Sequence, residues 1–243
     1  LAAAKSAGEV PLALGNSDKG SAMQTLSIIQ GALTPSGDTR DWITGATGSD
    51  FAADSNEQAL DVFTSWVTEE YVSSGFNGTS PDDAVASFVN GDGVFFIGGN
   101  WFAGSINDSD TFGFAAGLDE GGSASSGSFG LPWHVSAKSD STLAALAFVG
   151  MLNSADTAPQ LVEVNRVPIH PVSGTESGTM FADLVAASDA QLGNNGALYW
   201  YDWATDTMFD TFTSGLQEVL AEKITSAELL DRVQSNWNEF HTK

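Results

Sequence analysis

Ser87-Phe88-Val89-Asn90-Gly91-Asp92-Gly93-Val94-Phe95-Phe96-Ile97-Gly98-Gly99-Asn100-Trp101 reads as a helix end, a glycine turn and a short apolar strand running into two glycines, an amide and a tryptophan. This order sets a large flat aromatic just past the carboxyl end of a buried strand, the place where open α/β sheets bind ligands. The paired glycines leave room for close approach to the backbone. Trp101 offers a ring face rather than a charge, which suits a neutral, ring-shaped ligand.

Strand and helix signals alternate on both sides of this stretch. Leu1 to Ala7 reads as a helix end stopped by Gly8, and Glu9 to Gly15 as a short buried strand. Met23, Leu26, Ile29 and Leu33 share a helical spacing, which predicts a helix over 22–33 that stops before Pro35. Thr34 to Ser49 is expected to be a polar loop carrying Trp42 and Ile43. Ser55 precedes a helix through Val72 with Leu60, Phe63, Trp66 and Val67 on its stripe. Ser80-Pro81-Asp82-Asp83 starts a helix that runs to Val89, with proline in the first turn and acids at the positive end of the helix dipole. Further on, strands are expected over 111–116 and 129–137, separated by a Gly/Ser-rich loop over 117–128. A short helix or turn follows Trp101, and helices are expected over 141–152, 181–192, 206–221 and 226–240. The proline-bounded Val167-Pro168-Ile169-His170-Pro171 is extended. This alternation is that of an α/β protein.

A chain of 243 residues can hold one large domain or two modest lobes. Its formal net charge of −23 comes from 31 acidic and 8 basic residues. Charged residues make up only 16%, below the roughly 25% usual for soluble domains, so the acidity reflects scarce Lys and Arg rather than surplus carboxylates. Nucleic acid and anionic membrane surfaces are excluded as partners, since both demand basic patches. The chain has no cysteine, which excludes disulfides, thiol chemistry and thiolate metal sites. No run approaches the roughly 18 apolar residues of a membrane span, and no signal peptide is read. The opening Leu1-Ala2-Ala3-Ala4-Lys5 lacks Met and starts as though mid-helix, so a mature product or a fragment of a longer protein is expected.

Of the seven tryptophans, Trp66 and Trp237 lie at helical spacing among apolar residues and read as core. Trp42 stays open between core and surface. Trp101, Trp133, Trp200 and Trp203 follow strands or turns beside glycines and polar residues, where ligand contact competes with packing between lobes. Leu198-Tyr199-Trp200-Tyr201-Asp202-Trp203 gathers four aromatics around one carboxylate. Sugar rings dock their C–H faces on aromatic planes while their hydroxyls need acceptors, and such pockets combine apolar walls with a few placed polar groups. Asp202 is then a hydroxyl acceptor; its other reading is a capping or first-turn acid. Catalytic signals are scarce. Paired carboxylates would serve glycoside hydrolysis, but no pair stands out. His134, His170 and His241 are scattered, Asn107-Asp108-Ser109-Asp110 is only loosely like a calcium loop, and nucleophile-elbow, P-loop and dinucleotide glycine patterns are missing. A binder without catalytic residue, metal or cofactor is expected.

Five phrases in order carry a resemblance: Leu1 to Leu14, Ala84 to Trp101, Ser136 through Phe148 to Ser154, Val167-Pro168, and Gln217 to Trp237 with Lys223-Ile224-Thr225-Ser226-Ala227-Glu228-Leu229. Together they resemble the extracellular solute-binding proteins of carbohydrate ABC importers, the family that includes maltose-binding protein. The resemblance covers nearly the whole chain. It implies a type II periplasmic binding protein-like α/β fold of two lobes and a hinge, with the first lobe incomplete in this chain. Residues 1–113 would form the first part of the second lobe, 114–168 a segment returning to the first lobe, and 169–243 the closing helices of the second. The family's stacking tryptophan corresponds to Trp101. Counting back from the Lys-Ile-Thr phrase puts a second stacking aromatic near Phe209, but we place that surface on the slightly earlier Tyr199–Trp203 group. Asp18-Lys19-Gly20-Ser21 stands where relatives often have an aromatic. The ligand set implied is Asn100, Trp101, Trp133, His134, Trp200, Asp202 and Trp203, binding a mono- or oligosaccharide. The resemblance further implies ABC permease subunits as partners, a monomer when full length, and a location that is extracellular, periplasmic or lipid-anchored to the outer face of the membrane. The alternative is a carbohydrate-active enzyme working through paired carboxylates.

Overall fold

Helix-forming stretches with sharp boundaries dominate the computed structural model, which describes residues 1–106, 111–115, 117–118, 124–127, 133–170, 172 and 178–242. The α-helices among them are α1 (Ala2–Ser6), α2 (Gly20–Leu33), α3 (Ser36–Ile43), α4 (Asp54–Thr68), α5 (Pro81–Val89), α6 (Thr142–Leu152), α7 (Ala158–Glu163), α8 (Met180–Gly193), α9 (Met208–Leu220) and α10 (Ser226–His241). Their starts follow local chemistry. Ser80 Oγ accepts a hydrogen bond from the Asp83 amide with Pro81 behind it, and Thr225 and Glu228 form a reciprocal capping box at α10.

The strands are two residues long: β1 (Leu12–Ala13), β2 (Phe95–Phe96), β3 (Ser125–Ser126) and β4 (Ala197–Leu198). β1 pairs in parallel with β2, Leu12 opposite Phe95, and Leu12 also bridges to Val72 on its other side. β3 pairs in parallel with β4, Ser125 opposite Ala197. Short 3-10 turns cover Phe76–Gly78, Asn100–Gly104 and Tyr201–Ala204.

Several expectations change. The polar loop expected over 34–49 contains α3, and its Trp42 is only 1% exposed, packed on Phe51 at 4.4 Å. Pro35 preceding the helix and the apolar pair Trp42-Ile43 facing the core make this turn of helix, because burial outweighs its many polar residues. β2 is an edge strand rather than a buried one, and Phe95 is exposed, because β1 takes the central position between β2 and Val72. Residues 111–115 form no strand, and Ala116 lies outside the described residues. For the strand expected over 129–137, residues 129–132 lie outside the described residues and 133–137 are not extended into a ladder. β3 sits instead inside the segment read as a Gly/Ser loop. The calcium-like Asn107–Asp110 and Pro171 also lie outside the described residues.

One main core joins β1 to α2, α3, α4, α9 and α10, through Leu12, Leu26, Phe63, Phe212, Leu216 and Trp237 among others. Trp237 donates its indole N–H to the Trp42 carbonyl at 2.7 Å, and Gln234 Oε1 accepts from the Phe51 amide and the Trp42 indole. A second, smaller cluster gathers Ala103, Met180 and Leu184 with Phe114 and Phe181 beside it. α6 stands apart from both. None of its residues is buried, and Leu143 is 83% exposed.

Candidate functional site

Both parallel strand pairs point their carboxyl ends at aromatic residues. β2 runs through Ile97-Gly98-Gly99 into the 3-10 turn that opens with Asn100-Trp101, and β4 runs directly into Tyr199-Trp200 and the turn over Tyr201–Ala204. Trp101 and Trp200 meet there, ring centroids 6.3 Å apart and planes inclined by 34°. Glycine makes this approach possible. A Cβ on Gly99 would collide with the Trp101 ring, which folds back over it. A Cβ on Gly127, just past β3, would lie 2.7 Å from Cε2, Cζ2 and Cη2 of Trp200, so the ring rests directly on that glycine. Gly127 also holds φ at +83°, a conformation that glycine adopts without Cβ strain.

The turn that presents Trp200, Asp202 and Trp203 is pinned on several sides. Ser126 Oγ donates to the Tyr199 carbonyl at 2.8 Å, and the Gly127 amide donates to the Leu198 carbonyl at 3.1 Å. Tyr201 is buried between Phe51 and Phe212 and donates its hydroxyl to Gln30 Oε1. Gln30 in turn donates to Asn56 Oδ1, and Asn56 donates to the Phe51 carbonyl. Burial pushes the Tyr201 hydroxyl far above its ordinary pKa, so it serves as a fixed hydrogen-bond donor. His241 Nε2 lies 2.8 Å from the Ala204 carbonyl, and Thr205 Oγ1 donates to Asn236 at 2.6 Å. These bonds tie the turn to α2 and α10. The other turn is held by aromatic packing: Phe96 on Phe88 and Phe102, with Phe102 tilted against Trp101.

Two polar atoms in the cluster are buried without a hydrogen-bond partner among the described residues: Trp200 Nε1 and Asp202 Oδ1. A buried donor or acceptor left unmade costs about 1–3 kcal/mol, so each of these atoms carries a cost that the described residues do not offset. Burial raises the Asp202 carboxyl above its ordinary value, and hydrogen bonding to its own backbone opposes that only in part. Trp203 stacks on Tyr199 at 5.3 Å and 20°, and both rings stay partly open to solvent. This second aromatic pair contains a residue, Tyr199, that the sequence places in the aromatic run but not among the individual ligand candidates.

Trp101 is 42% exposed and Asn100 is exposed beside it. Trp133, 64% exposed, and the exposed His134 make no ring contact, ion pair or hydrogen bond with any other described residue. The fold therefore joins Trp101 to Trp200 and Trp203 to Tyr199, and leaves Trp133 and His134 uncommitted. Phe209, the other position considered for stacking, is exposed near the start of α9. Among the described residues no three His, Asp or Glu side chains come together as a metal-ligand set, and no helix is long and apolar enough to cross a membrane. Two shallow hollows, one lined by Thr64, Val219, Ile224 and Glu228, the other by Asp210, Ser214, Asp231 and Asn236, open elsewhere; no member of the aromatic cluster lines either.

No protein-family model and no curated protein sequence matches this chain. Among solved structures, the chain is similar to a chitin oligosaccharide binding protein, with a TM-score of 0.76 at 17% identity over 98% of this chain and 62% of that one. It is also similar to the solute-binding protein RafE in complex with raffinose (TM-score 0.68, 15% identity, 98% of this chain and 63% of that one). A sugar transporter component from Bacillus licheniformis in complex with stachyose gives a TM-score of 0.62 at 16% identity, again over 98% of this chain and 62% of that one. The fold is the type II periplasmic binding protein fold, and the chain spans about 62% of the length of these matched structures.

Proposed function

We propose that this chain is the sugar-binding part of a solute-binding protein that serves a carbohydrate ABC importer. It captures a mono- or oligosaccharide in an aromatic cleft between two lobes and hands it to membrane permease subunits. In this reading residues 1–113 and 169–243 form the second lobe and 114–168 belong to the first. Ligand binding draws the population toward a closed arrangement about the hinge. Trp101 stacks on the sugar together with one or more of Trp133, Trp200 and Trp203, while Asn100, Asp202 and His134 bind hydroxyls. The protein binds without turning its ligand over, uses no cofactor, and works outside the cytoplasm, in the periplasm or lipid-anchored to the outer face of the membrane.

The observation that carries this reading is the convergence of the carboxyl ends of β2 and β4 on the Trp101–Trp200 contact. The partly exposed faces of Trp101 and of the Trp203–Tyr199 pair are what the C–H face of a sugar ring docks on. The shared fold supports the same reading, since matched structures carry oligosaccharides by name. The test is titration of the chain with a panel of mono- and oligosaccharides, following tryptophan fluorescence and chromatographing the mixtures for products. A saturable change without products is expected. Release of shortened sugars would overturn the binder in favour of a glycoside-active enzyme, and no response from any sugar would overturn sugar recognition itself.

A further inference from the structure

Trp101 sits in the short turn over Asn100–Gly104, with 42% of its surface open to solvent. A tryptophan in such a place has room for several staggered rotamers. Its ring nevertheless lies back over Gly99 and tilts against Phe102 and Trp200. Backbone conformation does not explain the glycine at position 99, since its φ of −75° and ψ of 160° are extended values that any residue adopts. Space explains it. A Cβ there would overlap Cε3, Cζ3 and Cη2 of Trp101, and these are the three nearest atoms it would meet. Other tightly packed glycines differ. A Cβ on Gly15 would run into the Ser80 carbonyl and one on Gly31 into the Ala124 carbonyl, main-chain groups that cannot swing aside. The obstacle at Gly99 is the far end of a side chain on an exposed turn, which can.

We infer that Gly99 is a positioning residue for sugar binding: its missing side chain lets the Trp101 ring settle against Trp200 before the ligand arrives. This rests on the proposed role of Trp101 in stacking on sugar. A ring already held in one rotamer loses little conformational freedom when it binds, so more of the stacking contact appears as affinity. A methyl group at position 99 would drive the ring into another rotamer and break the 6.3 Å contact with Trp200. No main-chain atom is among the nearest that this methyl would meet, so the fold tolerates Gly99→Ala while the site does not. Gly127 receives the Trp200 ring in a similar way, but its φ of +83° means that a substitution there strains the backbone as well. Gly99 is the position at which ring placement and backbone strain separate.

The test compares the full chain with Gly99→Ala, Trp101→Ala and the double variant in three measurements. These are urea unfolding, the circular-dichroism band of coupled indoles, and calorimetric titration with raffinose, stachyose and chitotetraose. Gly99→Ala is expected to unfold at the parent's urea midpoint and to lose the same part of the band that Trp101→Ala loses. It should weaken each sugar that binds by roughly as much as Trp101→Ala does. The two losses should not add in the double variant, because Gly99 acts only through the ring. A glycine needed only for folding would instead lower the urea midpoint and leave the dichroism band intact. A Gly99→Ala chain that fails to fold, keeps the band or binds sugar as the parent does overturns the inference and leaves sugar binding standing. Additive losses, or a parent band that does not depend on Trp101, overturn it equally. A parent that binds none of the three sugars overturns the sugar-binding reading, and the role of Gly99 in it falls at the same time.

Discussion

Trp101 and Asp202 are the residues on which the reading of this chain turns, and each has a measurable signature. Trp101 keeps 42% of its surface open while its ring rests over Gly99 and tilts toward Trp200. Burying that remaining surface on a sugar is a gain that alanine forfeits, so Trp101→Ala should weaken sugar binding by about 1–3 kcal/mol. Fluorescence or calorimetric titration reads this directly, and an unchanged affinity would remove Trp101 from the site. Asp202 has a cost in stability. Burial holds its carboxyl above the ordinary value, so the folded chain binds this proton more tightly than the unfolded chain. Stability from this group is therefore lost as pH rises from the ordinary aspartate range through the raised folded value. Asp202→Asn should stabilise the chain at neutral pH in urea denaturation, with the gain disappearing in acid. A variant that is less stable at neutral pH than in acid, relative to the parent, would contradict the burial assigned to this carboxyl.

At the scale of elements, α10 shows how far local chemistry specifies structure. Thr225 Oγ1 accepts from the Glu228 amide at 3.2 Å, and Glu228 Oε2 accepts from the Thr225 amide at 2.8 Å. Thr225→Ala removes half of this box and should cost about 1 kcal/mol in denaturant unfolding. The backbone amide of Thr225, then its hydroxyl, hold the Glu228 carboxyl below the ordinary glutamate value, with Arg232 adding to the effect. A lowered folded value means that stability is present above the ordinary range and lost as the pH falls through the folded value. The advantage of the parent over Glu228→Ala should accordingly shrink in acid, and an advantage that is constant with pH would show that the box does not depend on the ionised carboxylate. The strands are the opposite case. Two residues of β3 or β4 are too few to display a period, and only their pairing makes them strands.

Across the whole molecule, packing is uneven. α9 buries Met208, Phe212, Leu216 and Val219 within the main core, whereas α6 buries nothing although its sequence is almost wholly apolar. Leu216→Ala should cost about 2–5 kcal/mol, the usual range for a buried leucine, and Leu143→Ala less than about 0.5 kcal/mol. Amide exchange should rank the two helices in the same order, with α6 opening far more readily than α9. Equal protection of both helices would mean that α6 has a packed partner in solution.

The sequence by itself determined what depends on neighbours a few positions away. The helix start at Ser80, the helical stripe of α2, the approximate extents of α9 and α10, and the core fate of Trp237 were all legible, because capping and periodicity are local. So was the placement of aromatics directly after β2 and in the run from Tyr199 to Trp203. The tertiary structure alone decided the rest. Trp42 went into the core through its indole contacts with Phe51 and Gln234, and Phe95 fell on an open edge because β1 occupies the centre. Trp101 found Trp200 because glycine at positions 99 and 127 lets two distant segments close on each other. Burial and strand pairing sum contacts from far along the chain, and no local period encodes that sum.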